Sequence, residues 1–235
     1  MIVLKDGTSV FNTPLPPMLT IIDDDGHQKF YTDILPIIES KHVPIASAII
    51  GKNIGVASTY MTWAQVEEAY SKGAEILNHT YSHLGETEDT RTAEEIYMDY
   101  TKNERLMYSH GIVTGADILV YPGGSANLAT AQTASHLFAR GAFKASGNAL
   151  NEIGADIYSI QRYRIGTDYA YDVDVFKNLI DQITHGWMVW MVHTSGSAWT
   201  ADSPAILSSA IDYAKSKGVA IVTAKYGISK LYDGN

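Results

Sequence analysis

The chain has 235 residues, 46% hydrophobic and 18% charged, which is enough for a large core and shows no compositional sign of disorder. Lys and Arg number 17 against 26 Asp and Glu, and the net charge of −9 argues against a nucleic-acid partner. The absence of Cys excludes disulfides, thiolate metal ligands and Cys nucleophiles, and no apolar run approaches the ~20 residues of a membrane span.

The opening stretch, MIVLKDGTSVFN, lacks the basic start and apolar run of a signal peptide. Residues 19–23 read as a strand that runs into three aspartates and a glycine, IIDDDG. Residues 29–42 (KFYTDILPIIESKH) read as a helix strained by Pro36, and 43–50 as a β-branched strand. A helix over 62–72 opens on a capping box, Thr62 with Gln65, and closes at Gly73; 74–78 is a short strand. The same punctuation, Thr92, Glu95 and Gly111, frames a helix over 92–110. Then follow a strand at 117–121, a helix at 128–140, and weaker strands at 142–145 and 158–160. A helix over 173–185, a buried strand at 187–193 (WMVWMVH), a helix over 204–217 and a strand at 219–223 complete the pattern.

Repeated strand–helix units imply right-handed crossovers and a parallel sheet. With seven or eight such units the expected class is α/β, a TIM-like (β/α) barrel. No linker or low-complexity tract interrupts it, so residues 1–235 are expected to form one domain.

In such barrels chemistry gathers at the C-terminal ends of the strands. Those ends carry Asp23, Asp24, Asp25 and Gly26; His79 and His83; Tyr121, Pro122, Gly123 and Gly124; and His193. Singly, each has an ordinary explanation: an Asp-Gly turn, an unrelated pair of imidazoles, a glycine turn, a core histidine. Jointly they line one face of one barrel. Two imidazoles and one carboxylate make an open divalent-metal site, and such an ion lowers the pKa of bound water and polarises a carbonyl. A second carboxylate is then free to act as general base, a separate His as general acid, and a glycine-turn N–H as an oxyanion donor. That set of groups hydrolyses an ester or amide.

At these residues the chain resembles the polysaccharide deacetylases of carbohydrate esterase family 4. TIIDDDG, HTYSH, VYPGG and WMVH stand in the family's motif order, and the similarity runs on to AKSKGVAIVTAKYGISKL. The resemblance implies a distorted (β/α) barrel, often of seven strands. It implies Asp24 as general base; Asp25, His79 and His83 as metal ligands; His193 as general acid; and Gly123 as oxyanion donor. Many members carry an Arg two residues before the third-motif Pro, where this chain has Val120. The segment YSIQRYRIG resembles a later Arg-bearing strand, so Arg162 is expected to replace that partner of Asp24, with Arg164 next in line. The acid that tunes the general-acid His has no clear match; Asp172 or Asp174 are the candidates. Strand alternation turns Asp23 away from Asp24. Tyr121 and Trp199, the latter in the polar loop HTSGSAWT, are expected to touch substrate.

The expected activity is metal-dependent removal of N- or O-acetyl groups from a polysaccharide. Zn²⁺ is the default ion, with Co²⁺, Ni²⁺ or Mn²⁺ also suited to the mixed N/O donor set. The alternatives are a glycan-binding module of an extracellular or viral adhesion assembly, and a barrel amidohydrolase acting on a small C–N bond. The expected partner is an acetylated polysaccharide or oligosaccharide, with no nucleic acid and no membrane span, and the expected location is extracellular or cell-surface.

Overall fold

The computed structural model describes residues 2–3, 9–10, 14–84, 91–123, 128–144 and 147–232; Gly124 and Ala145 lie outside them. Strands β1 (Ile2–Val3) and β2 (Ser9–Val10) form an antiparallel pair. The main sheet begins at β3 (Met18–Asp25) and takes in β4 (Ala46–Ile49), β5 (Glu75–Asn78), β6 (Ile118–Val120), β7 (Gly141–Phe143), β8 (Tyr163–Arg164) and β9 (Trp187–Val192). Their order is β7-β6-β5-β4-β3-β9-β8, all parallel. The short β10 (Ala220–Ile221) pairs with Met18 and Leu19, on the lower part of β3, while β4 pairs with residues 22–25 above it. Beyond β7 a single parallel bridge joins Phe143 to Ile160, and three residues later the chain pairs with β9. The sheet therefore curls into a distorted α/β barrel, with the segment between Ile160 and Tyr163 crossing its seam.

The period-2 alternation of the strands sorts the core into layers. Met18, Ile22, Ala46, Ala48, Leu77, Ile118, Val120, Phe143, Trp187 and Val189 pack inside the curl. Leu19, Ile21, Ile49, Ile76, Met188, Trp190 and Val192 face outward into a second cluster. Helices α1 (Leu35–Lys41), α2 (Trp63–Ser71), α5 (Val173–Asp181) and α6 (Ser203–Ser216) contribute Ile38, Val66, Leu179 and Leu207 to that cluster. Helices α3 (Ala93–Ser109) and α4 (Leu128–His136) cover β6 in a third. Strand β3 is buried on both faces, which is why its sequence is apolar until the aspartates except at Thr20, whose hydroxyl donates to the Val222 carbonyl.

The predicted helix over 29–42 divides at its proline. Residues 30–34 form a π-helical turn, with the Leu35 N–H bonded to the Phe30 carbonyl, and α1 starts afresh. Pro36 thereby falls in the first turn of α1, where a missing N–H leaves no helical bond unmade. Both predicted capping boxes form, at Thr62–Gln65 and Thr92–Glu95. The expected strand at 158–160 reduces to the Ile160 bridge, because pairing passes to β8. No helix among the described residues is long and apolar enough to cross a membrane.

Helix α7 (Ala224–Tyr232), which the sequence pattern did not reveal, is started from a distance. The buried Glu75 carboxylate on β5 accepts the N–H groups of Ala224 (2.5 Å) and Lys225 (3.0 Å). Burial raises its pKa from 4.5 to about 6, against the pull of those two hydrogen bonds. The folded state thus holds this proton more tightly than the unfolded chain. The associated stability is present below pH 4.5 and is lost as pH rises through 6. The difference is worth about 2 kcal/mol. Urea unfolding of wild type and Glu75→Gln across pH 4.5 to 7.5 is expected to show wild type losing about 2 kcal/mol more than the variant over that range.

Candidate active site

Alternation along three inner strands delivers three of the reactive groups to one place. Inward Ile22 is followed by Asp24, inward Leu77 by His79, and inward Val189 by Met191 and His193. Asp25 would point outward in a regular strand, but its φ of +80° turns it. Thr80 (φ +65°) and His83 (φ +54°) also sit in the left-handed region, so three non-glycine residues carry backbone strain at this site. Gly26 follows at φ +75°, and a Cβ there would lie 3.0 Å from Ile54 Cδ1 and 3.1 Å from Ile49 Cγ2. A side chain here would be both crowded and strained, and glycine lets the chain turn away without either cost.

Asp25, His79 and His83 offer three ligand atoms, all within 4.8 Å of one another. The Nε2 atoms of His79 and His83 each lie 3.5 Å from Asp25 Oδ1. His79 Nδ1 donates to the Val120 carbonyl at 2.7 Å, so that in the neutral ring Nε2, on the side of Asp25, is the nitrogen left for a ligand bond. On the other oxygen of Asp25, His27 Nε2 stands 3.6 Å away; its ring stacks on Tyr60 at 4.6 Å and its Nδ1 lies 3.1 Å from the Thr59 carbonyl. Burial favours a neutral Asp25, but hydrogen bonds from His27 and His79 and the charges of His79 and His193 outweigh it and hold the carboxyl below the usual carboxylate range. Burial likewise opposes the charged form of His79, yet Asp25, Asp24 and the Val120 carbonyl push its pKa up. Burial, followed by the charge of His79, pushes His83 down. Two imidazole nitrogens and one carboxylate, with one imidazole locked in the correct tautomer, suit a divalent cation with an open coordination side.

Asp24 is paired on both oxygens. Arg162 Nη1 donates to Oδ1 at 2.8 Å and Nη2 to Oδ2 at 3.0 Å, while Nε donates to the Lys144 carbonyl at 2.9 Å. Arg162 is fully buried on the seam segment, pointing into the curl. Val120, where many family members are expected to carry an Arg, packs its side chain inside the barrel. One lone-pair site remains on each Asp24 oxygen for a further donor. Arg164 instead forms a two-point pair with Asp168 at 2.8 and 2.9 Å.

A cleft of about 240 Å³ is lined by Asp24, Asp25, His79, His83, Gly123 and His193, together with Tyr121, Arg164, Thr167 and Met191. Gly123 adopts φ +59° on its exposed turn. The Tyr121 hydroxyl turns from the cleft, bonding Ser135 Oγ and the Tyr158 carbonyl, both at 2.9 Å. Trp199 does not offer the exposed face expected of it. It is 3% exposed, packs edge-on against Tyr171 and donates its Nε1–H to Asp33 Oδ2 at 2.8 Å. Asp172 caps α5, and Asp174 is solvent-exposed, so neither is placed as the acid partner of His193. Asp23 bonds Thr194 instead, at 2.8 and 3.1 Å.

Thr167 and Met191 were not anticipated; alternation along WMVWMVH identifies Met191, whereas Thr167 lies in a loop without periodicity. Asn78 was also overlooked. Its amide donates to the carbonyls of Tyr100 and Ala116, both at 3.1 Å, and its oxygen accepts the Thr80 N–H and Asn103 Nδ2, both at 2.9 Å. This fully satisfied buried amide anchors the turn that presents His79 and His83. Asn78→Ala leaves those partners unpaired and is expected to cost about 3 kcal/mol in urea unfolding.

Residues 12–141 match the family model described as polysaccharide deacetylase. A comparison with curated protein sequences gives no match. Among solved structures, the Xyl-CE4 domain of a multidomain xylanase from the hindgut metagenome of Trinervitermes trinervoides superposes with a TM-score of 0.64 at 17% identity, covering 92% of this chain and 91% of that one. A family 4 acetyl xylan esterase from Clostridium thermocellum in complex with a cobalt ion gives 0.64 at 14% identity, covering 90% of each. A CE4 family pseudoenzyme from Bacillus anthracis gives 0.65 at 14%, covering 93% of this chain and 67% of that one. At these identities the likeness is one of fold. The family match itself spans more than half of the sequence and takes in IIDDDG, HTYSH and VYPGG, and the chain belongs to the polysaccharide deacetylase family.

Proposed function

We propose that this chain is a metal-dependent hydrolase that removes N- or O-linked acetyl groups from a polysaccharide, with residues 1–235 forming its catalytic domain. The observation that carries this reading is a single cleft shared by the Asp25–His79–His83 cluster, by Asp24 held on both oxygens by Arg162, and by His193. Because the same fold is also found in a pseudoenzyme, the reading rests on these side chains and not on the fold.

Asp25, His79 and His83 would hold the cation, most simply Zn²⁺, with Co²⁺, Ni²⁺ or Mn²⁺ as alternatives. Once bound, it would supply an acidified water and a polarised acetyl carbonyl. Asp24 takes the proton from the attacking water through the lone pairs that Arg162 leaves free. Arg162 fixes the carboxylate and compensates its charge. His193 gives a proton to the departing amine or alcohol. The Gly123 N–H faces the charge that develops on the carbonyl oxygen. An acetylated polysaccharide substrate also favours an extracellular or cell-surface location. The burial of Trp199 takes away the exposed aromatic face on which the binding-only reading leaned.

The test is acetate release from a panel of N-acetylated and O-acetylated oligosaccharides, with protein loaded with Zn²⁺ or Co²⁺ and again after chelation. Release that chelation abolishes and metal restores supports the reading. No release from any substrate by the loaded protein rules it out.

A further inference from the structure

We propose that Asp23, the first of the three aspartates, is a positioning residue: it clamps Thr194 and thereby fixes the ring of His193 over the cleft. This rests on the reading of His193 as general acid. Asp23 lies opposite Val192 in the β3–β9 register, next to the point where that ladder ends. Its side chain is fully buried on the outward face of β3. Oδ1 accepts the Thr194 N–H at 2.8 Å and Oδ2 accepts the Thr194 hydroxyl at 3.1 Å. The carboxylate thus acts as one more rung, made by a side chain, immediately after β9. His193 sits between the last backbone rung at Val192 and this clamp, so the backbone on both sides of it is fixed. On the far side its carbonyl accepts the Gly196 N–H at 3.3 Å, which starts the departing turn.

A carboxylate is a costly group to bury, and at this position it lies beside two further acids. An apolar residue would pack the outward face of β3 at less cost, as Ile21 does two residues earlier. What Asp23 adds is a two-point grip on the residue that follows His193. Among the described residues no carboxylate is hydrogen-bonded to the His193 ring, so its aim depends on its backbone. A donor misplaced by about 1 Å costs on the order of a hundred-fold in rate.

The test exploits the leaving group. Deacetylation of an N-acetylglucosamine oligosaccharide releases an amine that must be protonated; hydrolysis of 4-nitrophenyl acetate releases an anion that need not be. Rates on both are measured for metal-loaded wild type, Asp23→Ala, Asp23→Asn and Thr194→Val, with metal content assayed in each. For Asp23→Ala the ratio of oligosaccharide rate to ester rate is expected to fall at least about ten-fold, with metal content retained. Asp23→Asn is expected to keep that ratio within about three-fold of wild type, since its oxygen still accepts the Thr194 N–H and its NH₂ meets the hydroxyl. Thr194→Val, which keeps the N–H and loses the hydroxyl, is expected to lower the ratio about three-fold; it carries the test if Asp23→Ala does not fold. Equal losses on both substrates in the folded variants, or Asp23→Asn impaired as much as Asp23→Ala, would overturn the proposal. Wild type inactive on both substrates would overturn the deacetylase reading, and the clamp with it.

Discussion

Arg162→Met is expected to destabilise the fold by about 3–5 kcal/mol and to lower the rate of acetate release by at least about a hundred-fold. Arg162 has no solvent exposure, and among the described residues its three hydrogen bonds go to Asp24 and the Lys144 carbonyl. Removing the guanidinium leaves the Asp24 carboxylate buried without its counter-charge and the Lys144 carbonyl without its donor. The loss measures that orphaning and not the net worth of the pair, which buried ion pairs seldom reveal. Arg162→Lys is expected to recover little, because one ammonium cannot donate to both Asp24 oxygens and to Lys144 in the geometry of the planar fork. Urea unfolding and acetate release, run on both variants, check the two parts separately. A variant as stable as wild type would show that Asp24 is not held by Arg162.

His79→Ala is expected to reduce divalent-metal affinity by more than about a hundred-fold, beyond the 10–100-fold typical for losing only an outer partner of a metal ligand. His79 is the deepest of the three proposed ligand side chains, at 3% exposure against 20% for Asp25 and 35% for His83. Its second nitrogen is tied to the backbone, at the Val120 carbonyl. Its removal takes away the proposed ligand whose neutral tautomer the Val120 carbonyl sets. Equilibrium dialysis with Zn²⁺, comparing wild type with the variant, measures the change directly. Unchanged affinity would place the metal elsewhere.

These two sites differ in how visible they were in the sequence. The parallel α/β barrel follows from alternating strand and helix periods, and the reactive residues cluster because strand ends in such a fold share one face. Asp24, His79 and His193 needed only the period-2 rule to converge. Asp25 needed a left-handed φ, and the neighbouring Gly26 hinted at a turn there. Arg162 reached attention through family resemblance alone: the seam that carries it was read as a strand at 158–160, whereas the ladder reforms at Tyr163–Arg164.

What escaped the sequence depends on partners far away in the chain. Helix α7 is started by Glu75, 149 residues before Ala224. Trp199 looked exposed because its neighbours are Ser, Gly and Thr, yet Asp33, 166 residues earlier, accepts its indole N–H inside the fold. Asn78 reads as a polar strand end until the carbonyls of Tyr100 and Ala116 are brought to it. Local pattern is blind to hydrogen bonds of this range.

The central claim is that Asp25, His79 and His83 hold the ion that acetyl hydrolysis requires. The most direct test is a titration: chelator-stripped wild type and His79→Ala receive increasing Zn²⁺, and acetate release from an N-acetylated oligosaccharide is followed at each addition. The predicted result is release that rises with metal and levels off at one ion per chain for wild type, with a flat trace for the variant. Release by stripped wild type that added metal does not change, or a variant that titrates like wild type, would contradict the account.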